Sequence, residues 1–136
     1  MIAAVEIMKA GYLYQKEVQN ILKPFDISHE QYNVMRILRG AKEEHLSLKE
    51  VQGRMMNQTA NTTRLVEKLK MKELITSEYC PHNRRRLEIK LTDQGEKLLD
   101  TISPTIFELG DRVAKIISSD DADSLIRILK KFKSLA

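Results

Sequence analysis

An amphipathic helix with a polar outer face, two strand-like runs around an arginine-rich turn, and apolar-striped helices at both ends predict the fold class. It is mainly α with a small β wing: a winged helix-turn-helix with N- and C-terminal dimerisation helices. The central stretch runs from Gln58 to Thr92 of 136 residues. Leu65 and Leu69, with Thr62 or Val66 beside them, recur at three- and four-residue steps and define one apolar helix face. Asn61, Arg64 and Lys68 fall on a different face at i, i+3, i+7 spacing, so they point outward together. Leu74–Tyr79 and Leu87–Leu91 form the arms of a hairpin, with Leu87, Ile89 and Leu91 alternating against Glu88 and Lys90. The turn between them holds Pro81, His82, Asn83, Arg84, Arg85 and Arg86.

The other elements follow in order. A first helix covers about Ala4 to Lys23, with Val5, Met8, Tyr12, Leu13, Ile21 and Leu22 as apolar positions on more than one face, and Pro24 ends it. Such a helix suits burial from two sides, by its own domain and by a second chain. Ser28 opens a second helix with Gln31 as its capping-box partner. Tyr32, Val34, Met35, Ile37 and Leu38 supply its apolar surface, and Gly40 closes it. His45 and Leu46 lie in a linker with room for a small strand. Ser47 and Glu50 form a second and stronger capping box, opening a third helix that packs through Leu48, Val51 and Met55 to about Met56. A short helix, a tight connection and a polar-faced helix give the helix-turn-helix order.

Thr92 is the N-cap of a long fifth helix, with Leu98, Leu99, Ile102, Ile106, Leu109, Val113 and Ile116 as its stripe. Pro104 lies inside that helix, removing one ladder hydrogen bond and bending it near Asp100. Asp120, Asp121 and Asp123 favour the start of a last helix carrying Leu125, Leu129 and Phe132. The winged lobe is complete without the terminal helices, so their apolar stripes predict a homodimer interface. A twofold dimer also suits double-stranded DNA, because two recognition helices enter successive major grooves about 34 Å apart.

Composition bounds the function. The chain is one domain's length. No apolar run approaches the roughly 18–20 residues of a membrane span, and no signal segment opens the chain, so a cytoplasmic location without a membrane partner is expected. The one cysteine, Cys80, agrees with a reducing compartment. From Lys49 to Lys90 there are ten Lys/Arg against five Asp/Glu, while the rest of the chain holds thirteen against fourteen. All the excess positive charge of the +4 total therefore sits in the winged stretch, the footprint of a phosphate-binding face. No glycine-rich phosphate loop or nucleophile elbow is present, and His29, His45 and His82 have no evident catalytic partners, so the chain does not read as an enzyme. No cofactor is expected. Cys80, His82, His45 and His29 lack the spacing of a zinc module.

The run TTRLVEKLKMKELI, then NRRRLEIKLTDQG, resembles the multiple antibiotic resistance regulator (MarR) family of bacterial transcription factors. The resemblance covers nearly the whole chain. It is most specific at Thr63-Arg64-Leu65-Val66 and at the Leu-Thr-x-x-Gly close of Leu91, Thr92 and Gly95. It implies a single MarR-like domain over 1–136, with a lobe at 28–92 and dimerisation helices at 1–24 and 93–136. It further implies a homodimer on a pseudo-palindromic operator, usually a repressor, relieved by a small phenolic or lipophilic ligand or, in some branches, by cysteine oxidation. Three places depart from the family pattern. Asn83 and Arg85 stand where it has Asp-x-Arg, leaving Asn83 to accept from the Arg85 guanidinium without a charge of its own. Glu73 replaces the glycine after the recognition helix, where a left-handed non-glycine costs about 1–2 kcal/mol, so the exit is open to change. Thr76 and Ser77 stand where relatives often carry arginine.

For direct readout the candidates are Gln58, Thr59, Asn61 and Arg64, placed in the N-terminal half of the recognition helix. Amides pair bidentately with adenine and arginine with guanine, each worth about 1–3 kcal/mol of discrimination. Lys68 is assigned to phosphate, Arg85 to a narrow minor groove, and Arg84 and Arg86 to the backbone. The competing reading of Arg64 is an ion pair with Glu67. Cys80, beside arginines that favour its thiolate, is either a redox site or an incidental surface thiol. The family's effector cleft, between the dimerising helices and the lobe, is assigned Tyr12, His29 and Tyr32, against a reading of each as ordinary core or surface. The rival function is a winged-helix protein-interaction module without specific DNA binding.

Overall fold

Helix starts are where the local chemistry of this chain acts most directly. A computed structural model describes residues 2–41 and 45–135, with Arg84 described in its backbone only. Six α-helices and a two-stranded sheet are present among the described residues: α1 Ile2–Leu22, α2 His29–Gly40, α3 Leu48–Arg54, α4 Thr62–Met71, β1 Ile75–Cys80, β2 Asn83–Leu91, α5 Asp93–Ile116 and α6 Ser119–Lys130. Short 3-10 turns at Lys23–Phe25 and Lys131–Leu135 follow α1 and α6. The mainly helical architecture with a β wing is the one expected.

The first capping box is complete. Gln31 N–H donates to Ser28 Oγ at 3.0 Å, and Ser28 N–H donates to Gln31 Oε1 at 3.1 Å. The second is half made, contrary to its expected rank. Glu50 N–H reaches Ser47 Oγ at 3.2 Å, but the Glu50 carboxylate accepts from the Ser47 hydroxyl and from Arg86 instead of turning back to the backbone. Nor does Gly40 end α2 in a left-handed turn. It lies in the last helical turn, the cap is a right-handed Ala41, and no described glycine has positive φ.

The chain divides into two compact units, with the boundary between Ser103 and Pro104 inside the run of α5. In the first unit, Leu22, Val34, Met35, Val51, Leu69, Ile75, Ile89 and Leu99 are fully or almost fully buried. Leu46 forms an isolated antiparallel bridge to Ile89, so the linker does supply a third, minimal strand to the wing. In the second unit α6 begins at an N-cap the sequence reading missed, Ser118, whose Oγ accepts from Asp121 N–H at 3.1 Å.

Burial is uneven along the terminal helices. Only Val18 and Leu22 of α1 are buried, while Ile2, Met8, Tyr12 and Leu13 stand exposed, so within one chain α1 is covered at its C-terminal end alone. No residue of α6 is buried, and Leu125, Ile126, Ile128 and Leu129 are exposed. An amphipathic helix with an open apolar stripe lacks the packing that gives helices most of their stability.

The exit of α4 keeps the left-handed turn. Glu73 has φ 62°. Its N–H bonds Lys70 O at 3.0 Å, and Leu74 N–H bonds Leu69 O at 3.1 Å, the paired 5→2 and 6→1 bonds of a Schellman ending. Leu69 and Leu74 are both buried, which gives that ending its hydrophobic contact. The change of exit that Glu73 left open does not occur: the backbone accepts the strain. Thr92 then ties the start of α5 to this turn. Its Oγ1 donates to Glu73 O at 2.7 Å and accepts from Gly95 N–H at 3.0 Å. Gly95 is buried, and a β-carbon there would collide with the carbonyl oxygen of Leu74. The Leu-Thr-x-x-Gly spacing is thus a cap followed, three residues on, by the one side chain small enough for the close approach.

Candidate nucleic-acid interface

The outward face of α4 is built by what the inward face buries. Thr62, Leu65, Val66 and Leu69 are buried. Asn61, Arg64 and Lys68 are exposed, as the periodicity requires. Among the described residues neither Arg64 nor Lys68 makes an ion pair, so the competing Arg64–Glu67 pair is not formed. Two charged groups stand free on one helix face.

The amide candidates are placed differently from their assignment. The helix starts at Thr62, so Gln58 and Thr59 lie in the turn before it, and Asn61 is the N-cap. Asn61 Oδ1 accepts from Arg64 N–H at 3.2 Å, which commits that oxygen to the helix start. Gln58 Nε2 donates to Met55 O at 2.6 Å and Gly53 O at 3.2 Å, tying the turn back to the end of α3. Thr59 bonds Asn57 Oδ1 through both its N–H, at 3.0 Å, and its hydroxyl, at 2.6 Å. Of the four readout candidates, Arg64 is the one whose side chain is not engaged locally. Asparagine's strength as an N-cap was the available signal for where the helix begins.

The wing also departs from its assignment. β1 and β2 pair antiparallel with Ile75 opposite Leu91 and Tyr79 opposite Leu87, and then the register shifts so that Cys80 meets Asn83. The turn is only Pro81 and His82, and Arg84, Arg85 and Arg86 belong to β2 as the bulged residues left over by the shift. A bulge re-aims side chains at the tip of a hairpin. Asn83 Oδ1 accepts from the backbone N–H of Arg85 at 3.1 Å rather than from its guanidinium, so the amide shapes the loop instead of steadying the side chain. Arg85 is exposed. Arg86, assigned to the DNA backbone, bonds Glu50 Oε1 at 2.6 Å and joins the wing to α3. The side chain of Arg84 lies outside the described ones.

Glu50, Arg86, Glu88, His45 and Cys80 form a chain of five groups at the wing base, with Arg86 Nε 4.0 Å from Glu88 Oε1. Glu50 is held below the usual carboxylate range by the Arg86 hydrogen bond, against some desolvation. Glu88 is likewise lowered, first by His45, whose Nδ1 lies 2.8 Å from Glu88 Oε2, with a further hydrogen bond from Cys80. The half-buried Cys80 thiol hydrogen-bonds the Glu88 carboxylate. No three His, Cys, Asp or Glu side chains gather as a metal site among the described residues.

The assigned effector residues have different surroundings. Tyr12 is 66% exposed, and Tyr32 is buried with its hydroxyl 3.5 Å from Ser103 Oγ. His29 alone lines a cleft of about 940 Å³ between the end of α1, the start of α2 and α4, with Lys23, Lys68, Met71 and Lys72 among its walls. Lys23, Gln31 and Lys68 are among the cleft residues that the sequence reading did not assign there; they come from three separate elements, which spacing within one element does not reveal.

The MarR family model matches residues 27–87, which span α2 through most of the wing. The HTH-type transcriptional regulator SarZ of Staphylococcus aureus is 28% identical over 122 residues, 88% of this chain and 78% of SarZ. Among solved structures, a complex of S. aureus MepR with DNA superposes with a TM-score of 0.88 at 20% identity, over 98% of this chain and 97% of MepR. BpsR of Bordetella bronchiseptica, whose DNA binding is regulated by 6-hydroxynicotinic acid, gives a TM-score of 0.83 at 18% identity, over 96% and 91% of the two chains. At these identities the two structures speak for the fold.

Proposed function

We propose, from the premise that this chain belongs to the MarR family, that it is a homodimeric transcriptional regulator binding a pseudo-palindromic operator in double-stranded DNA. The observation that carries this reading is the unpaired Arg64 and Lys68 on the outward face of α4, with the exposed Arg85 on the same lobe's wing. Guanidinium on base edges and ammonium on phosphate is the chemistry such a face offers. The dimer is supported by the exposed apolar stripes of α1 and α6. Two copies place two such helices on one duplex, and half-sites about 34 Å apart follow from the twofold axis.

The chain acts as a repressor, and a small ligand relieves it. Support comes from the cleft beside α4, because Lys68 lines it while also standing on the outward helix face. A ligand that draws Lys68 inward takes it from phosphate. BpsR supplies a precedent for a small molecule that regulates DNA binding on this fold.

Sedimentation of the protein with a duplex selected from a random pool tests the reading. Two chains per duplex are expected, and inserting half a helical turn between the half-sites should abolish tight binding. One chain per duplex, indifferent to the insertion, would contradict it.

A further inference from the structure

Gln52 joins α3 to the recognition helix with both ends of its amide. Its Nε2 donates to the carbonyl of Gln58 at 2.6 Å, and its Oε1 accepts from the hydroxyl of Thr62. The orientation of the amide follows from its partners. A carbonyl can only accept, so the NH₂ must face Gln58, which leaves the oxygen for Thr62. Thr62 is the first residue of α4 and is 3% exposed. A hydroxyl that deep needs a partner, since an unsatisfied one costs the full desolvation of the group.

The two anchored points flank the turn that leads into α4 and so into its exposed face. Gln58 lies on one side of Thr59, Ala60 and Asn61, and Thr62 on the other. Within that turn the remaining bonds are local: Gln58 to Met55 and Gly53, Thr59 to Asn57, Asn61 to Arg64. Asn57 and Met56 are held from α2, by Glu30 and Asn33. Those contacts fix where α3 ends. Gln52 fixes where α4 begins.

We infer that Gln52 is a positioning residue for sequence discrimination, setting the pose of the α4 N-terminus from which Arg64 reaches base edges. The inference rests on the DNA-binding reading above. It concerns geometry and not charge. A phosphate contact tolerates a small shift of a flexible cation, whereas a bidentate base contact does not. Loss of the brace therefore lowers the preference for the right sequence while leaving the salt-dependent, sequence-independent affinity in place.

The test uses the full chain and a duplex selected from a random pool by the wild type. Affinities for that duplex, for single-base variants of it and for unrelated DNA are measured by fluorescence anisotropy at several salt concentrations. In Gln52→Ala the ratio of selected to unrelated affinity should fall by about tenfold, the scale of one good base contact, with the salt slope unchanged. Gln52→Glu keeps an acceptor for Thr62 and loses the donor to Gln58, so an intermediate ratio is expected, and this isosteric variant decides the matter if Gln52→Ala does not fold. An unchanged ratio in a folded Gln52→Ala, or in Gln52→Glu where alanine fails, would overturn the inference while leaving the DNA reading intact. A wild type that selects no sequence would overturn both.

Discussion

Arg86 of the wing and Glu50 of α3 meet at 2.6 Å, across 36 positions of sequence. The pair decides two things at once. It engages Arg86 with a carboxylate of its own chain, and it joins β2 to α3, the helix that precedes α4.

Both side chains are more than a third exposed, so the pair's contribution is that of a surface bridge, below about 1 kcal/mol. Its pH dependence has a definite sign. The carboxyls of Glu50 and Glu88 are both lowered from their ordinary value of 4.5. A depressed carboxyl contributes stability above its unfolded pKa and loses it as pH falls through the folded one. Urea unfolding should show Glu50→Gln less stable than wild type at pH 7, and the difference should shrink as pH falls below 4.5 and vanish once the folded carboxyl is protonated. A difference that persists in acid would mean the carboxylate is not its source.

Glu73 in the left-handed region invites repair. Glu73→Gly should stabilise the protein by about 1 kcal/mol, the strain relieved less the glycine's own entropy. That raises Tm by about 3 °C for a chain of this size. Calorimetry checks it, and a fall in Tm would show that the Glu73 side chain contributes more than its backbone costs.

Gly95 and Gly53 make a contrasting pair. Gly95→Ala forces a β-carbon onto the Leu74 carbonyl and should cost about 2–3 kcal/mol, at the upper end for overpacking. Gly53 lies in α3, and an added β-carbon meets nothing within 4 Å. Gly53→Ala should therefore be neutral or gain about 0.5–1 kcal/mol. Denaturant midpoints of the two variants, measured together, separate a packing requirement from a helix-propensity effect.

The parts of this fold that could be read from sequence are those set within one turn of chain. The Ser28–Gln31 box, the Thr92 cap and the buried stripe of α4 depend on three- and four-residue spacing, and each is where the spacing puts it. The misplacements share a different cause. Whether three arginines sit in a turn or in a strand depends on a register shift at Tyr79 and Cys80, which alternation alone does not encode. Glu50 leaves its box because Arg86 arrives from a distant strand. Gln58 and Asn61 have the chemistry of base readers and equally that of turn and cap residues; their side chains make the local bonds of turn and cap, with partners all within five residues.

The most direct measurement of the central claim is binding to a selected operator duplex, titrated over salt, with wild type beside Arg64→Ala, Arg85→Ala and Arg86→Ala. Tight binding that weakens steeply with salt is expected, with a loss of about 1–3 kcal/mol and relaxed sequence preference in Arg64→Ala. Arg85→Ala should weaken binding and flatten the salt slope, and Arg86→Ala should have the smallest effect of the three. No affinity for any duplex at low salt, in a folded protein, would contradict the DNA-binding account and favour a lobe that binds other proteins.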